Sequence, residues 1–246
     1  MMKRNLMMAV VLVAVLVSIV FSKSAQAASV QSVSRIAFGA ENTLFVADWK
    51  AARIYALTLP KGARADGTPF NLRNLDAILT NVLGRSGTKI EDMAVRPGTN
   101  DVYVAVSLGV NKDPAIVVVS ANGAAKKLNW NRATSVAIEQ APDNQNTFWQ
   151  NIPERSFTVT DMKWRDGKLF VAGLSNQDFA STLRLIPYPF SSKATMSSVE
   201  IYHVSHNQIE TRAPIRTMTF TGEDTGLIAH DKFGRAIAKE TTVALV

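Results

Sequence analysis

The chain holds no cysteine. That excludes disulfide frameworks, thiolate metal sites, thiol nucleophiles, C-x-x-C-H haem attachment and a lipidated N-terminal cysteine. Histidine is scarce too: His203, His206 and His230 are the three, all late in the sequence. No G-x-S-x-G elbow, P-loop or dinucleotide fingerprint occurs, which removes the motif-level case for those chemistries. Charged residues make up 19%, below the roughly 25% usual in soluble domains, against 47% hydrophobic. That composition argues against wholesale disorder. With 246 residues the chain can bury a real core and form one large or two modest domains.

What is present begins with an address. Lys3 and Arg4 precede an apolar run from Leu6 to Phe21, followed by Ala25-Gln26-Ala27. A basic start, an apolar middle and an A-x-A site describe a secretory signal peptide over residues 1–27. An uncleaved anchor is the rival reading, although the run falls short of the ~20 residues a comfortable span needs. Residues 28–246 are then expected to form the exported domain, periplasmic or extracellular, with no membrane span after cleavage. Cleavage removes three of the 27 basic residues and none of the 20 acidic ones, leaving an excess of four. That excess is too small and too scattered to argue for nucleic acid.

Four segments then repeat one pattern: Val33 to Phe38, Ile90 to Val95, Val159 to Trp164 and Ile215 to Phe220. Each alternates with period two, as a strand does. Each is followed, after a turn such as Arg165-Asp-Gly-Lys168, by a second strand: Leu44 to Ala47, Val102 to Ala105, Leu169 to Ala172 and Gly226 to Ala229. Third strands are expected at Arg53 to Leu59, Ala115 to Ser120 and Thr182 to Ile186, and fourth strands at Ala125 to Trp130 and Ser198 to Val204. Repeats of three or four short antiparallel strands describe the blades of an all-β propeller, here near residues 33–59, 90–130, 159–204 and 215–246. A β-sandwich is the structural rival. One amphipathic helix is expected over Asn71 to Leu83, ended by Gly84, in a loop between blades.

The first repeat carries a family likeness. Thr43-Leu-Phe-Val-Ala-Asp48, a short loop and Arg53-Ile-Tyr-Ala-Leu57 resemble a blade of the NHL-repeat and gluconolactonase-like six-bladed propellers. That resemblance implies the superfamily fold and, for its enzymes, a calcium-dependent lactonase site. Those enzymes place a calcium ligand in an early Glu-Gly-Pro, where this chain reads Ser34-Arg35-Ile36.

Aligning the first strands puts Arg35, Asp92, Asp161 and Thr217 at one equivalent position, expected near the mouth of the channel. A carboxylate inside a strand needs a partner. Either each Asp accepts backbone amides of the next blade, or Asp92 and Asp161 help hold a divalent cation such as calcium. His206 and Glu210 are the other candidate ligands for such an ion. The long loop from Glu139 to Ser156 carries Trp149, and that from Ser205 to Pro214 carries Arg212. With the four strand positions these are the candidate ligand-binding residues, and one face is expected to gather them. Asp48 reads as a turn cap, and Met93, Met162 and Met218 as equivalent packing residues between blades.

Two functions lead on these grounds, ahead of a third, an accessory propeller for a periplasmic redox system, for which the sequence offers no cofactor residue. One is an exported binding protein that takes a small molecule or protein at the loop-rich face, with no cofactor. The other is a metal-dependent, lactonase-like hydrolase. Four repeats fall short of the usual blade number, so an open arc is expected, able to self-associate through its terminal blades. A closed four-bladed ring is the alternative.

Overall fold

The computed structural model describes residues 30–40, 42–129, 133–198, 201–203, 207–210, 212–221, 224–229 and 241–243. The expected signal segment lies outside them. The first sheet begins with β1 (Ile36–Phe38), β2 (Thr43–Asp48) and β3 (Arg53–Thr58). Helix α1 (Leu75–Leu83) leads into the second sheet of β4 (Thr88–Val95), β5 (Asp101–Leu108), β6 (Asp113–Ser120) and β7 (Ala125–Lys127). The chain then returns: β8 (Ala133–Ala137) pairs antiparallel with β3 and completes the first sheet. The third sheet holds β9 (Asp161–Arg165), β10 (Lys168–Leu174), β11 (Ser181–Pro187) and β12 (Thr195–Ser198). A hairpin of β13 (Ile201–His203) and β14 (Gln208–Glu210) precedes the three-stranded fourth sheet of β15 (Ile215–Thr221), β16 (Asp224–Ala229) and β17 (Thr241–Val243). The protein is thus mostly antiparallel β-sheet, and among the described residues no sheet closes on itself.

Local chemistry sets the punctuation. Asp166 and Gly167 form the two-residue link between β9 and β10, both at positive φ (48° and 75°), the turn that matches the twist of a hairpin. Helix α1 starts later than expected: the Asn74 side chain, not that of Asn71, accepts the Ala77 amide at 2.9 Å. Gly84 ends it in the left-handed conformation, as expected.

The sheets lie side by side in a row that is not their chain order. One face of the first sheet (Leu44, Val46, Tyr55 and Leu57) packs on Tyr103, Ala105, Ile116 and Val118 of the second. Its other face (Phe45, Ala47, Ile54 and Ala56) packs on Met162, Leu169, Val171 and Ile186 of the third. The third sheet's far face, with Phe170, Ala172 and Leu183, meets Ile215 and Met218 of the fourth. The row is second, first, third, fourth. Fully burying one such aliphatic or aromatic side chain contributes about 1.5–3 kcal/mol, so three shared interfaces carry much of the stability. At the second sheet's outer face, Leu79 of α1 and its apolar neighbours cover Val104, Val106 and Val117.

Several expectations change accordingly. The first sheet's fourth strand comes from beyond the second repeat. Ser198 to Val204 is not a fourth strand: β12 ends at Ser198, and Ile201–His203 joins its own hairpin. Met162 and Met218 are buried, each 3% exposed, but Met93 is 55% exposed. The cause is position: Met93 lies opposite Val104 on the second sheet's outer face, where among the described residues no further sheet packs on β4. Among the described residues the cores of the first and fourth sheets are separate: Ile36 packs against the second sheet and Met218 against the third.

Candidate functional site

The four inner strands stand in the order β4, β1, β9, β15, and side chains at the aligned position stitch them together. Asp92 Oδ2 accepts the Ile36 amide of β1 at 2.9 Å, while its Oδ1 accepts the Met93 amide. Asp161 repeats this between the third and fourth sheets. Its Oδ2 accepts the Met218 amide and the Thr217 hydroxyl, both at 2.9 Å, and its Oδ1 accepts the Met162 amide at 2.8 Å. Arg35, between them, donates instead to carbonyls: Nε to Thr160 at 2.5 Å, and Nη1 to Ser34 and Glu91 at 2.8 and 3.0 Å. Arg35, Asp92, Asp161 and Thr217 therefore form one belt across four strands, and each carboxylate oxygen in it already accepts a hydrogen bond. Burial raises the Asp92 carboxyl above the usual carboxylate range, against the pull of its two amides and Arg35.

One residue earlier on each strand lies the floor of a cleft of about 530 Å³. Ser34, Glu91, Thr160 and Arg216 occupy that position, with Val33, Val159 and Lys89 beside them. Residues 150–153, Ser156 and Phe157 form a roof, and Trp49 and Lys112 a side wall. Two arginines pin the roof. Arg155 donates Nη1 to the Pro142 carbonyl at 2.9 Å and Nε to that of Lys50 at 3.2 Å. Arg212 grips the buried Glu154 with Nε at 3.1 Å from Oε1 and Nη2 on Oε2. Gly173 lets this segment approach β10, because a Cβ there would stand 2.1 Å from the Thr158 carbonyl oxygen. Thr160 ties the floor to the fourth sheet through its hydroxyl, which donates to the Ile215 carbonyl.

The cleft is cationic. Arg35, Lys89, Lys112 and Arg216 line it against the single carboxylate of Glu91. Glu91 is committed elsewhere, to Lys89 at 2.7 Å and to the Ser107 hydroxyl at 2.6 Å. Arg216 stacks its guanidinium 5.1 Å above the Phe157 ring. Burial, and then the nearby Arg35 charge, hold Arg216 below its ordinary pKa.

Among the residues expected from sequence, Arg35 lines the cleft, while Asp92, Asp161 and Thr217 belong to the belt beside it and do not line it. Arg212 serves the roof through Glu154. His206 lies outside the described residues, as do the side chains of Trp149 and Glu210. Among the described residues no group of three or more His, Asp or Glu is placed to hold a metal ion, and no helix is long and apolar enough to cross a membrane. Asp48 is fully buried and accepts the Gln31 and Ala51 amides and the Ser32 hydroxyl. It caps its turn and fastens the segment leading into the cleft. Sequence reasoning missed Lys89, Lys112, Phe157 and Arg216. For Arg216 the signal was present, one position before the aligned belt. No protein-family model matches the chain, and comparison with curated proteins finds no match.

Proposed function

We propose that this chain is an exported binding protein, built as an open arc of propeller-like blades, that takes a small-molecule ligand in the cleft above the belt. The carrying observation is the cleft itself. Its volume of about 530 Å³ falls within the ~300–1,000 Å³ typical of small-molecule sites. Its floor is made of strands locked by the belt, and its roof is pinned by Arg155 and Arg212, so little ordering is left for binding to accomplish. Support for the arc comes from sheets of three or four antiparallel strands whose first strands stand next to one another. Export rests on residues 1–27 alone. The lactonase-like alternative needs free carboxylates, and the oxygens of Asp92 and Asp161 are occupied by backbone amides.

A thermal-shift screen of small molecules tests the reading on wild type and on Ile152→Trp, which fills the cleft from its 40%-exposed rim position. A ligand at ~100 Kd stabilises by about 2.7 kcal/mol, or about 5–10 °C in a domain of this size. Hits are expected to stabilise wild type and to lose most of that effect in the variant. Hits that stabilise both proteins equally would place binding elsewhere and overturn the reading.

A further inference from the structure

We infer that the ligand of this cleft is a small organic oxyanion, a phosphate or carboxylate whose head group sits between Arg35 and Arg216 and whose body lies along Phe157 and Ile152. This rests on the cleft being the binding site.

Arg35 spends Nε and Nη1 on three backbone carbonyls, which fixes its plane. Its Nη2 has no protein partner among the described residues. The bonded carbonyls are neutral, so none of them cancels its charge. Arg216 reaches the cleft from β15, two strands away, and its guanidinium has no hydrogen-bond or ion-pair partner among the described residues beyond the Phe157 face. Two guanidiniums line one cavity whose single lining carboxylate, Glu91, is already engaged by Lys89 and Ser107; they repel each other, and an oxyanion relieves that repulsion. The guanidinium fork matches phosphate and carboxylate oxygens in two parallel hydrogen bonds, and a partly desolvated site strengthens them. Lys112 adds a third cation at the rim. The cleft far exceeds the size of a bare inorganic anion, and its apolar surface at Ile152 and Phe157 calls for a carbon body behind the head group.

Isothermal titration at low ionic strength tests this with four probes: phenyl phosphate, benzoate, inorganic phosphate and the neutral benzyl alcohol. Phenyl phosphate and benzoate are expected to bind, phenyl phosphate at least about tenfold more tightly than inorganic phosphate or benzyl alcohol. Arg216→Gln is expected to weaken phenyl phosphate about tenfold or more, equivalent to about 1.4 kcal/mol. Its melting temperature should stay close to wild type, because Arg216 makes no belt contact. Lys126→Gln with Lys127→Gln, on β7 outside the cleft, should leave binding unchanged. Three results would overturn the inference. Benzyl alcohol binding as well as phenyl phosphate would discard the anion while leaving the cleft reading intact. Equal losses in the Lys126/Lys127 variant would reduce the effect to general surface charge. Failure of both organic anions to bind at millimolar concentration would exclude this ligand class, and the library screen against Ile152→Trp would still decide the cleft on its own.

Discussion

Truncating the equivalent methionines to alanine reads out the order of the sheets. Met162 sits in the interface of first and third sheets and Met218 in that of third and fourth, each 3% exposed. Met93 holds the same aligned position but is 55% exposed at the end of the row. Met-to-Ala changes in a packed core cost about 2–5 kcal/mol, from lost transfer energy plus the cavity left behind. Met162→Ala and Met218→Ala should each cost about 2–3 kcal/mol, whereas Met93→Ala should stay within ~0.5 kcal/mol. Urea unfolding provides the assay. With a slope near ~3 kcal/mol/M, the two buried changes move the midpoint down by about 0.7–1 M and Met93→Ala barely moves it. Ile36→Ala is the complementary variant. Ile36 is 5% exposed against the second sheet and should lose stability like the buried methionines. A row in chain order reverses the pattern: β4 would then gain a neighbour, Met93→Ala would cost as much as Met162→Ala, and Ile36→Ala would be nearly silent. That result would refute the arrangement and the cleft built on it.

Gly173→Ala should destabilise by more than about 2 kcal/mol, because its Cβ would meet the Thr158 carbonyl at 2.1 Å and neither backbone can yield alone; a silent substitution would show that the roof does not approach β10. Asp92 gives a pH test. Its carboxyl is raised by burial, so the folded state keeps the proton at pH values where the unfolded chain has released it. Its contribution is then full below the ordinary carboxylate value and declines as pH rises through the folded value. From about pH 4 upward, wild type should lose stability relative to Asp92→Asn in urea unfolding. The opposite slope would contradict the assignment.

The strands and turns were legible because each rests on short-range chemistry. Asp166-Gly167 names its own turn, and the Leu-Phe-Val-Ala and Val-Tyr-Val-Ala runs name second strands. Those same runs hid the order of the sheets. Phe45 and Val46 point to opposite faces and both are fully buried, so the pattern says that two neighbours exist without saying which. Met93, Met162 and Met218 illustrate the point, being one residue type at one aligned position with different surroundings. β8 escaped because Ala-Thr-Ser-Val-Ala has weak alternation and pairs with a strand some 80 residues earlier, Arg53 lying opposite Ala137. The belt position stood out through its two aspartates, and the amide-accepting role weighed for them is the one the geometry displays. The cleft lay one residue earlier, where Ser34, Glu91, Thr160 and Arg216 share no chemical type. Only the fold brings Lys112 and Phe157 to them.

The most direct measurement is a phenyl phosphate titration followed through the arginine Nε–H resonances of 15N-labelled protein, with Arg35 and Arg216 assigned by their lysine variants. These two signals are expected to shift together along one saturable curve. Arg184, buried on β11 beyond the cleft and held down to about 10 by that burial, should not respond. Absence of a saturable shift at Arg35 and Arg216, or equal shifts across all arginines, would contradict the proposal that this cleft is an oxyanion site.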